Sequence, residues 1–359
     1  MAERRALIVA GGTGGHFYPG LVLAQELRAR GWEPLVVVRT GDPARSALDA
    51  AGLPWVELEL RGLPRSLKAE LFTFPFQLGR ALAAARRVVK DFEPRAVFGT
   101  GGYLTVPCAA AAAARGLPRL VHESNAALGL ANRVSAAIGA RLFWGLPPVA
   151  GQGEVVGTPI RPALWDARDQ AECRRELGLE PSIATVLVFG GSQGARGLNR
   201  EAPAALNGEQ AQVLHLAGPK EADAVRAAYG SAKAKVLPYL EKMELAYGAA
   251  DLVICRAGAS TIAELSAQRK PALLVPLPTA AGNHQEINAR AVAARGAAEV
   301  ALEAELPARL PGLLRDLLIS GEAARRRRAM SESWSKLALP PPSLAPGLLA
   351  DAFESAAKR

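Results

Sequence analysis

The chain has 359 residues, half of them hydrophobic and 5% aromatic, a composition that is typical of a folded globular protein and excludes a fibrous or disordered one. This length exceeds one compact domain and is sufficient for two, each with its own core. Lys and Arg number 43 against 34 Asp and Glu, and the net charge of +9 favours an anionic partner, such as nucleic acid, a phosphorylated substrate or acidic lipid, without choosing among them.

The cysteines and the apolar runs indicate where the protein works. Its three cysteines, Cys108, Cys173 and Cys255, form no Cys-x-x-Cys pair, which argues against a disulfide framework and a zinc site and fits a reducing cytoplasm. The apolar run at residues 6–10 is too short for the core of a signal peptide. No run reaches the ~18 uncharged apolar residues of a membrane-spanning helix, so we expect none.

Short apolar, β-branched runs recur along the chain, with helical patterns between most of them. The predicted strands are residues 6–10, 34–38, 96–98, 119–122, 185–189, 212–216, 252–255 and 272–276. The clearest predicted helices are residues 21–30, 78–90 and 262–268, in which apolar residues recur at three- and four-residue spacing. This alternation predicts an α/β protein with parallel sheets built from β-α-β units.

The first predicted strand ends in a glycine-rich turn, Gly-Gly-Thr-Gly-Gly-His at residues 11–16, that opens a helix. Glycine lets backbone N–H groups approach a ligand, and the positive end of the helix dipole favours phosphate or another oxyanion. The same dipole disfavours a charged imidazole, so we expect a neutral His16 that can act as a base. A tight turn without a ligand and a capping or packed histidine are the alternatives.

Three phenylalanines cluster at residues 71–78, Leu-Phe-Thr-Phe-Pro-Phe-Gln-Leu, between two groups of cations. The flanking cations are Arg61, Arg65, Lys68, Arg80, Arg86, Arg87 and Lys90. This combination suits a monotopic contact with an anionic membrane surface, whereas phenylalanines in the core and cations on a solvated face are the alternative. The basic run at residues 325–328 has no interleaved aromatic residues, so it predicts a solvated helix face and no nucleic-acid partner.

Residues 155–162, Val-Val-Gly-Thr-Pro-Ile-Arg-Pro, contain a glycine and two prolines, which interrupt regular structure and suit a linker. We therefore predict two domains, residues 1–158 and residues 159–340. Prolines interrupt the chain again at residues 339–346, and the tail of residues 341–359 is expected to pack back on the first domain.

A second glycine-rich turn, Gly-Gly-Ser-Gln-Gly-Ala-Arg at residues 190–196, follows the fifth predicted strand. At a helix start, the Ser192 hydroxyl and neighbouring N–H groups can hold a diphosphate and stabilise its charge as a metal would. The turn also fits Gly-x-Ser-x-Gly, the nucleophile elbow of α/β-hydrolases. A serine hydrolase with Asp251 and His284 as partners of Ser192 is therefore an alternative, although it has no use for the first turn.

Small and polar residues follow the later strands. Residues 255–264 start a helix and place the Glu264 carboxylate where it can accept both hydroxyls of a ribose, or simply interact with the helix dipole. Residues 283–288 offer polar side chains suited to sugar hydroxyls, or to caps and surface. No Asp-x-Asp occurs and none of the four histidines stands at metal-ligand spacing from another, so we expect neither a metal nor another cofactor.

Seven motifs follow one another along the chain. They are Gly11-Gly-Thr-Gly-Gly-His16, Gly101-Gly-Tyr103, His122-Glu-Ser-Asn125, Val156-Gly-Thr-Pro-Ile-Arg161, Gly190-Gly-Ser-Gln-Gly-Ala-Arg196, Cys255-Arg-Ala-Gly-Ala-Ser-Thr261 with Glu264, and His284-Gln285 with Asn288. In this series the chain resembles the MurG family of bacterial N-acetylglucosaminyltransferases, a part of glycosyltransferase family 28. The resemblance implies the GT-B fold, in which two Rossmann-like domains face each other across a cleft.

The resemblance also implies a reaction and a location. The expected reaction is inverting transfer of N-acetylglucosamine from UDP-N-acetylglucosamine to the muramoyl 4-hydroxyl of undecaprenyl-diphospho-N-acetylmuramyl-pentapeptide, which converts lipid I to lipid II in peptidoglycan synthesis. The expected location is the cytoplasmic face of the cell membrane, as a peripheral protein. Another GT-B enzyme with a different lipid or natural-product acceptor is the nearest alternative.

Roles for individual residues follow from the same resemblance. Ser192 is expected at the diphosphate, Glu264 at the ribose, Leu240 at the uracil with Tyr239 alongside, and Arg161 at the nucleotide. Asn125, Ala259, Ser260, Thr261, Ile262 and Gln285 are expected around the N-acetylglucosamine, and Ala263 is a further substrate-binding residue. Thr13, Gly14, Gly15 and His16 are expected on the reacting face. His16 is the first candidate for the catalytic base, and Glu123 and His122 are the next. The chain departs from the family pattern at Ser124, where Gln is common, and at His284, where some members have Gln.

Overall fold

Two β-sheets organise the chain, each within a compact unit of its own. Unit 1 comprises Met1–Arg161 and Leu339–Arg359, and unit 2 comprises Pro162–Ala338. The computed structural model describes residues 4–11, 14–42, 45–60, 70–207, 211–230 and 233–358. Within this part of the chain, no helix combines the length and the apolar character that crossing a bilayer requires.

Unit 1 is built on one parallel sheet. Its strands are β1 (Arg5–Val9), β2 (Glu33–Arg39), β3 (Trp55–Leu58), β4 (Ala96–Gly99), β5 (Arg119–Glu123), β6 (Arg141–Trp144) and β7 (Glu154–Val155). They lie in the order β3-β2-β1-β4-β5-β6-β7. In the centre, Ile8 is opposite Val36 on one side and Phe98 on the other, and all three side chains are fully buried.

Helices cover both faces of this sheet. They are α1 (Gly14–Ala29), α2 (Arg45–Ala50), α3 (Glu70–Phe92), α4 (Thr105–Ala114) and α5 (Leu130–Ala137). One core lies beneath α1 and includes Leu23 and Leu27. The other lies beneath α3 and α4 and includes Ala85 and Cys108. Because helices cover both faces, the central strands consist of nearly continuous apolar residues.

Unit 2 repeats the plan with six parallel strands. They are β8 (Thr185–Phe189), β9 (Gln212–Leu216), β10 (Ala234–Leu237), β11 (Leu252–Cys255), β12 (Ala272–Leu274) and β13 (Ala298–Val300), in the order β10-β9-β8-β11-β12-β13. The helices are α6 (Gln170–Glu176), α7 (Arg196–Leu206), α8 (Ala222–Ala228), α9 (Met243–Ala249), α10 (Ala259–Ala267), α11 (His284–Ala293), α12 (Leu306–Leu314) and α13 (Ala323–Ser333). The two parallel sheets confirm the predicted α/β class.

The last helix, α14 (Ala345–Ala357), belongs to unit 1 and packs against α1. The fully buried Phe353 meets the ring of Trp32 edge to face, with the centroids 5.2 Å apart. The indole Nε1 of Trp32 donates to Glu354 at 2.8 Å, and Arg30 forms an ion pair with Asp351. Residues of α14, near the end of the chain, therefore complete the core that lies beneath α1.

In the part of the chain that the structure describes, all eight predicted strands are present, together with five further strands, β3, β6, β7, β10 and β13, that were not predicted. Val155, the first residue of the predicted linker, is instead the last residue of β7 and pairs with Trp144. The division between the units falls after Arg161.

Candidate functional site

His16 lies in the first turn of α1, at the carboxyl end of β1. Its Nδ1 is 2.8 Å from the carbonyl oxygen of Thr100, which directly follows the neighbouring strand β4. A carbonyl oxygen can only accept, so Nδ1 carries the hydrogen and the lone pair of the neutral ring is on Nε2. The half-buried ring is therefore held in one tautomer with a basic nitrogen on its other side.

Gly101 allows the backbone to pass directly beside this imidazole. Its φ is +94°, and a Cβ there would lie 3.2 Å from His16 Nδ1 and 3.2 Å from Asn132 Nδ2. The hydroxyl of Thr105, in the first turn of α4, donates to the Gly101 carbonyl at 2.8 Å. The turn after β4 therefore fixes the ring from one side, and any larger residue at position 101 would push it away.

Glu123, the last residue of β5, is 2% exposed and accepts hydrogen bonds on both carboxylate oxygens. Oε1 accepts from the backbone N–H and the side-chain amide of Asn125, at 3.1 and 2.8 Å. Oε2 accepts from the N–H of Gly129 at 2.9 Å and from Asn132 Nδ2 at 3.0 Å. With four donors directed at it, this carboxylate orders residues 125–132 and is poorly placed to take a proton from a substrate.

His122 is fully buried, and both of its ring nitrogens have partners. Nε2 donates to the carbonyl of Gly157 at 2.9 Å, and Nδ1 is 3.3 Å from the hydroxyl of Ser124. Burial lowers the pKa of His122 to about 4, so the ring is neutral at physiological pH. These contacts argue against His122 as a base and give Ser124, the departure from the family pattern, a structural partner.

The remaining predicted residues of unit 1 lie around the same end of the sheet. Gly14 is the first residue of α1 and Gly15 the second, whereas Thr13 lies outside the described residues. Asn125 is half-buried, with its amide nitrogen turned to Glu123. The Arg161 guanidinium lies over the ring of Tyr18, 5.3 Å from its centroid.

The second glycine-rich turn joins β8 to α7 in unit 2. Ser192 is exposed at its centre. Gly191 and Gly194 have φ values of +100° and +76°, and a Cβ on Gly194 would lie 2.0 Å from the carbonyl oxygen of Ala217. The turn is therefore restricted to glycine by conformation and by close packing, and it leads into the N-terminus of an 11-residue helix.

The arrangement needed for a serine hydrolase is not formed. Asp251 accepts from the N–H of Thr185 at 2.6 Å, at the beginning of β8, and pairs with Arg174 at 2.5 Å. Ser192 follows the opposite end of the same strand, so Asp251 lies at the other edge of the sheet. His284 uses Nδ1 to bond the carbonyl of Ala281 at 2.7 Å. The hydrolase alternative therefore lacks its acid.

Glu264 lies in the second turn of α10, where one of its oxygens is fixed by a residue that the sequence did not single out. The hydroxyl of Tyr247, on α9, donates to Glu264 Oε2 at 2.8 Å. Tyr247 is fully buried and its ring packs edge to face with Phe189, 6.0 Å between centroids. The carboxylate is thus oriented from within the core of unit 2.

The other predicted residues of unit 2 lie at or near the carboxyl edge of its sheet. Ala259, Ser260, Thr261, Ile262 and Ala263 form the first turn and a half of α10, with Ala259 and Ile262 buried and the others half-buried. Gln285 on α11 accepts from the N–H of Leu277 at 3.0 Å. Leu240 is half-buried between β10 and α9, and Tyr239 is 53% exposed.

Two residues of the site were missed by sequence reasoning, Asn132 and Tyr247. Asn132 is 2% exposed and bonds both Glu123 and the carbonyl of His122. Neither residue belongs to a glycine-rich turn, so only the fold brings it to the site. Within the described ranges, no group of three or more His, Cys, Asp and Glu side chains gathers as metal ligands would.

Part of the predicted membrane-contact surface is described. Phe76 on α3 is 70% exposed, so this phenylalanine is not part of the core. Arg86 and Arg87 on the same helix are exposed, and Arg80 pairs with Glu59 at 3.3 Å. The side chains of Phe72 and Phe74, and the cations Arg61, Arg65 and Lys68, lie outside the described residues.

Comparison with known proteins relates both units to one family. The N-terminal domain of glycosyltransferase family 28 matches residues 6–143, and its C-terminal domain matches residues 185–338. A UDP-N-acetylglucosamine–N-acetylmuramyl-(pentapeptide) pyrophosphoryl-undecaprenol N-acetylglucosamine transferase of Halorhodospira halophila is 43% identical, over 90% of this chain and 94% of the relative. The same-named protein of Elusimicrobium minutum is 36% identical, over 98% and 99%.

Solved structures agree. The crystal structure of Acinetobacter baumannii MurG superposes with a TM-score of 0.81 at 28% identity and covers 98% of this chain and 99% of its own. The calicheamicin glycosyltransferase CalG4 superposes with a TM-score of 0.69 at 18% identity, covering 100% of this chain and 99% of its own, which relates it to this chain in fold alone.

Proposed function

The chain belongs to glycosyltransferase family 28 and, within it, to the MurG family, and on this premise we propose that it transfers N-acetylglucosamine from UDP-N-acetylglucosamine to the lipid-linked N-acetylmuramyl-pentapeptide. The names of its relatives specify this donor and this acceptor. Its two Rossmann-like units have the GT-B fold. The reaction converts lipid I to lipid II in peptidoglycan synthesis.

His16 is the base in this proposal, and its hydrogen bond to Thr100 is the observation that carries the mechanism. The muramoyl 4-hydroxyl oxygen attacks C1 of the α-linked sugar, and its proton passes to Nε2 of His16. The bond between C1 and the β-phosphate oxygen breaks, and its electron pair leaves with UDP. A single displacement inverts C1 and gives a β-1,4 linkage.

Glu123 and His122 take supporting positions in this mechanism. Glu123 accepts from both nitrogens of Asn125 and so orients the amide that we expect at the N-acetylglucosamine. His122 is neutral and bonded to the backbone of Gly157, so it stabilises the loop after β7. Neither group needs to change its protonation during transfer.

The donor is expected in unit 2. The leaving diphosphate would meet Ser192, its neighbouring N–H groups and the N-terminus of α7, whose dipole stabilises negative charge. Glu264, oriented by Tyr247, would accept the ribose hydroxyls. The backbone of Leu240 would meet the uracil, and Gln285 with the first turns of α10 the sugar. Arg161, the last residue of the first segment of unit 1, is also expected to contact the nucleotide. In this arrangement the helix N-terminus and the backbone N–H donors stabilise the negative charge of the leaving diphosphate in place of a metal.

The reaction is tested with radiolabelled UDP-N-acetylglucosamine and a soluble lipid I analogue in buffer containing EDTA. We expect the label to appear on the muramoyl sugar without added metal. A strict requirement for Mg²⁺ would contradict the metal-free mechanism. Label transferred only to another lipid or a natural product, in a panel that includes lipid I, would contradict the acceptor.

We also propose that α3 contacts the anionic cytoplasmic face of the cell membrane. The exposed Phe76 and the exposed Arg86 and Arg87 support this, because an apolar group among cations suits an interface with acidic lipid. Phe76→Glu should reduce flotation with vesicles of phosphatidylglycerol while leaving transfer to a soluble acceptor unchanged. Ile319→Glu, an equally charged change at a side chain 44% exposed in unit 2, is the control.

A further inference from the structure

A chain of buried hydrogen bonds lies behind the glycine-rich turn of unit 2. His215, near the end of β9, is fully buried, with Nδ1 3.0 Å from the hydroxyl of Tyr229 and Nε2 3.1 Å from Oδ1 of Asn199. Asn199, in the first turns of α7, donates from Nδ2 to the carbonyl of Ala217 at 2.8 Å and to Glu221 at 2.5 Å. These hydrogen bonds thus connect β9, α7 and the loop that follows β9.

Each hydrogen bond in this network has only one possible assignment of donor and acceptor. The carbonyl of Ala217 can only accept, so the Asn199 amide must present Nδ2 to it and Oδ1 to His215. His215 therefore carries its hydrogen on Nε2 and accepts on Nδ1 from the hydroxyl of Tyr229. Burial raises the pKa of Tyr229 and lowers that of His215, so both stay neutral and the directions persist.

The loop that Asn199 bonds, residues 217–221, packs against the glycine-rich turn at residues 190–194. A Cβ on Gly194 would lie 2.0 Å from the carbonyl oxygen of Ala217, and a Cβ on Gly218 would lie 2.4 Å from that of Gln193. The two backbones therefore touch without a side chain between them. A displacement of residues 217–218 must be transmitted to the turn, because close-packed backbone cannot absorb it.

We propose that His215 and Tyr229 are positioning residues for the donor diphosphate, acting through Asn199 to hold residues 217–221 beneath the turn at residues 190–194. The inference rests on the proposed function, because it assumes that this turn binds the diphosphate of UDP-N-acetylglucosamine. Neither His215 nor Tyr229 is exposed, so neither touches the substrate.

Glu221 gives the same network a second effect. Its carboxylate is bonded by Asn199 and lies 3.5 Å from the guanidinium of Arg196, the first residue of α7. A carboxylate near this helix start would repel a diphosphate if it were free to turn toward it. By binding Glu221 from the side of the core, Asn199 keeps that charge in place.

The affinity for UDP, measured by calorimetry without acceptor, tests the proposal. His215→Leu removes the donor to Asn199, and we expect the Kd for UDP to rise about tenfold, the factor that a loss of ~1.4 kcal/mol produces. His215→Gln can still donate to Asn199 and should change the Kd for UDP less than Tyr229→Phe does. Tyr229→Phe, which keeps the ring, should raise the Kd by about threefold.

Gln212 provides a matched control on the same strand. Its buried amide donates to the carbonyls of Glu180 and Ile183 and to the Thr185 hydroxyl, at the opposite end of β9. Gln212→Leu should lower the thermal midpoint about as much as His215→Leu but leave the Kd for UDP unchanged. This comparison separates positioning of the turn from general stability.

The possible outcomes distinguish a failure of the positioning role from a failure of the proposed function on which it rests. If the unaltered protein binds UDP and transfers sugar but His215→Leu and Tyr229→Phe keep its Kd for UDP, the positioning role is wrong. The same conclusion follows if Gln212→Leu weakens UDP as much as His215→Leu does. If the unaltered protein neither binds UDP nor transfers N-acetylglucosamine, the proposed function itself fails.

Discussion

Acidification should destabilise both units through their buried histidines, His122 in unit 1 and His215 in unit 2. Burial lowers the pKa of each from 6.5 to about 4. As the pH falls below 6.5, the unfolded chain takes up protons that the folded chain refuses. The stabilisation is therefore complete above the unfolded pKa and is lost as the pH falls toward the folded one.

The magnitude follows from these two values. Between about pH 7.5 and about pH 5, each histidine should cost about 2 kcal/mol of unfolding free energy, because the unfolded ring is then almost fully charged and the folded ring almost neutral. Urea unfolding followed by circular dichroism at the two pH values measures the loss. The unaltered protein at the same two pH values provides the reference loss.

Glutamine substitutions remove the titrating groups while keeping a side-chain N–H donor. His122→Gln and His215→Gln should each reduce the pH-dependent loss by about 2 kcal/mol, and the double variant by about twice that. If the double variant lost as much stability on acidification as the unaltered protein, the assignment of the pH dependence to these two rings would be refuted.

Four substitutions test the site itself. His16→Ala should lower kcat by roughly 10²–10⁴-fold with little change in the Kd for UDP, measured by steady-state kinetics and calorimetry, and an unchanged kcat would remove His16 as the base. Glu264→Ala should raise KM for UDP-N-acetylglucosamine, Tyr247→Phe should raise it less, and an unchanged KM in Glu264→Ala would contradict the ribose contact. Gly194→Ala should abolish UDP binding, because its Cβ would lie 2.0 Å from the Ala217 carbonyl oxygen, and retained affinity would show that the turn can move aside.

The strands that were predicted from the sequence and those that were not differ in their position in the sheets. Strands in the middle of each sheet, such as β1 and β8, are covered on both faces and are apolar after their first residue. The five strands that were missed lie at or next to an edge. They are short and carry exposed or half-exposed polar residues, as in Trp-Val-Glu-Leu of β3 and Ala-Lys-Val-Leu of β10, so neither composition nor alternation distinguishes them from loops.

Parts of the candidate site could be predicted where the backbone conformation or close packing requires glycine in the sequence. Parts in which the fold brings together residues distant in the sequence could not. The turn at residues 190–194 could be recognised because glycine is required there by positive φ and close packing, and at the start of the turn at residues 11–16 a Cβ on Gly11 would lie 3.0 Å from the backbone nitrogen of Arg39. The partner of His16 is a carbonyl 84 residues away, which no local pattern indicates. His122 and Glu123 are candidate bases by residue type, and only the fold shows that both are buried and bonded to groups far along the chain or across a loop.

The return of the chain to unit 1 has a consequence for how the protein is made. Unit 2 is continuous in sequence, so all of it can fold as soon as residue 338 has left the ribosome. Unit 1 was begun earlier but contains Leu349 and Phe353 in its core. Until these last residues emerge, α1 exposes the apolar surface that α14 will cover, and the domain synthesised first is the one finished last.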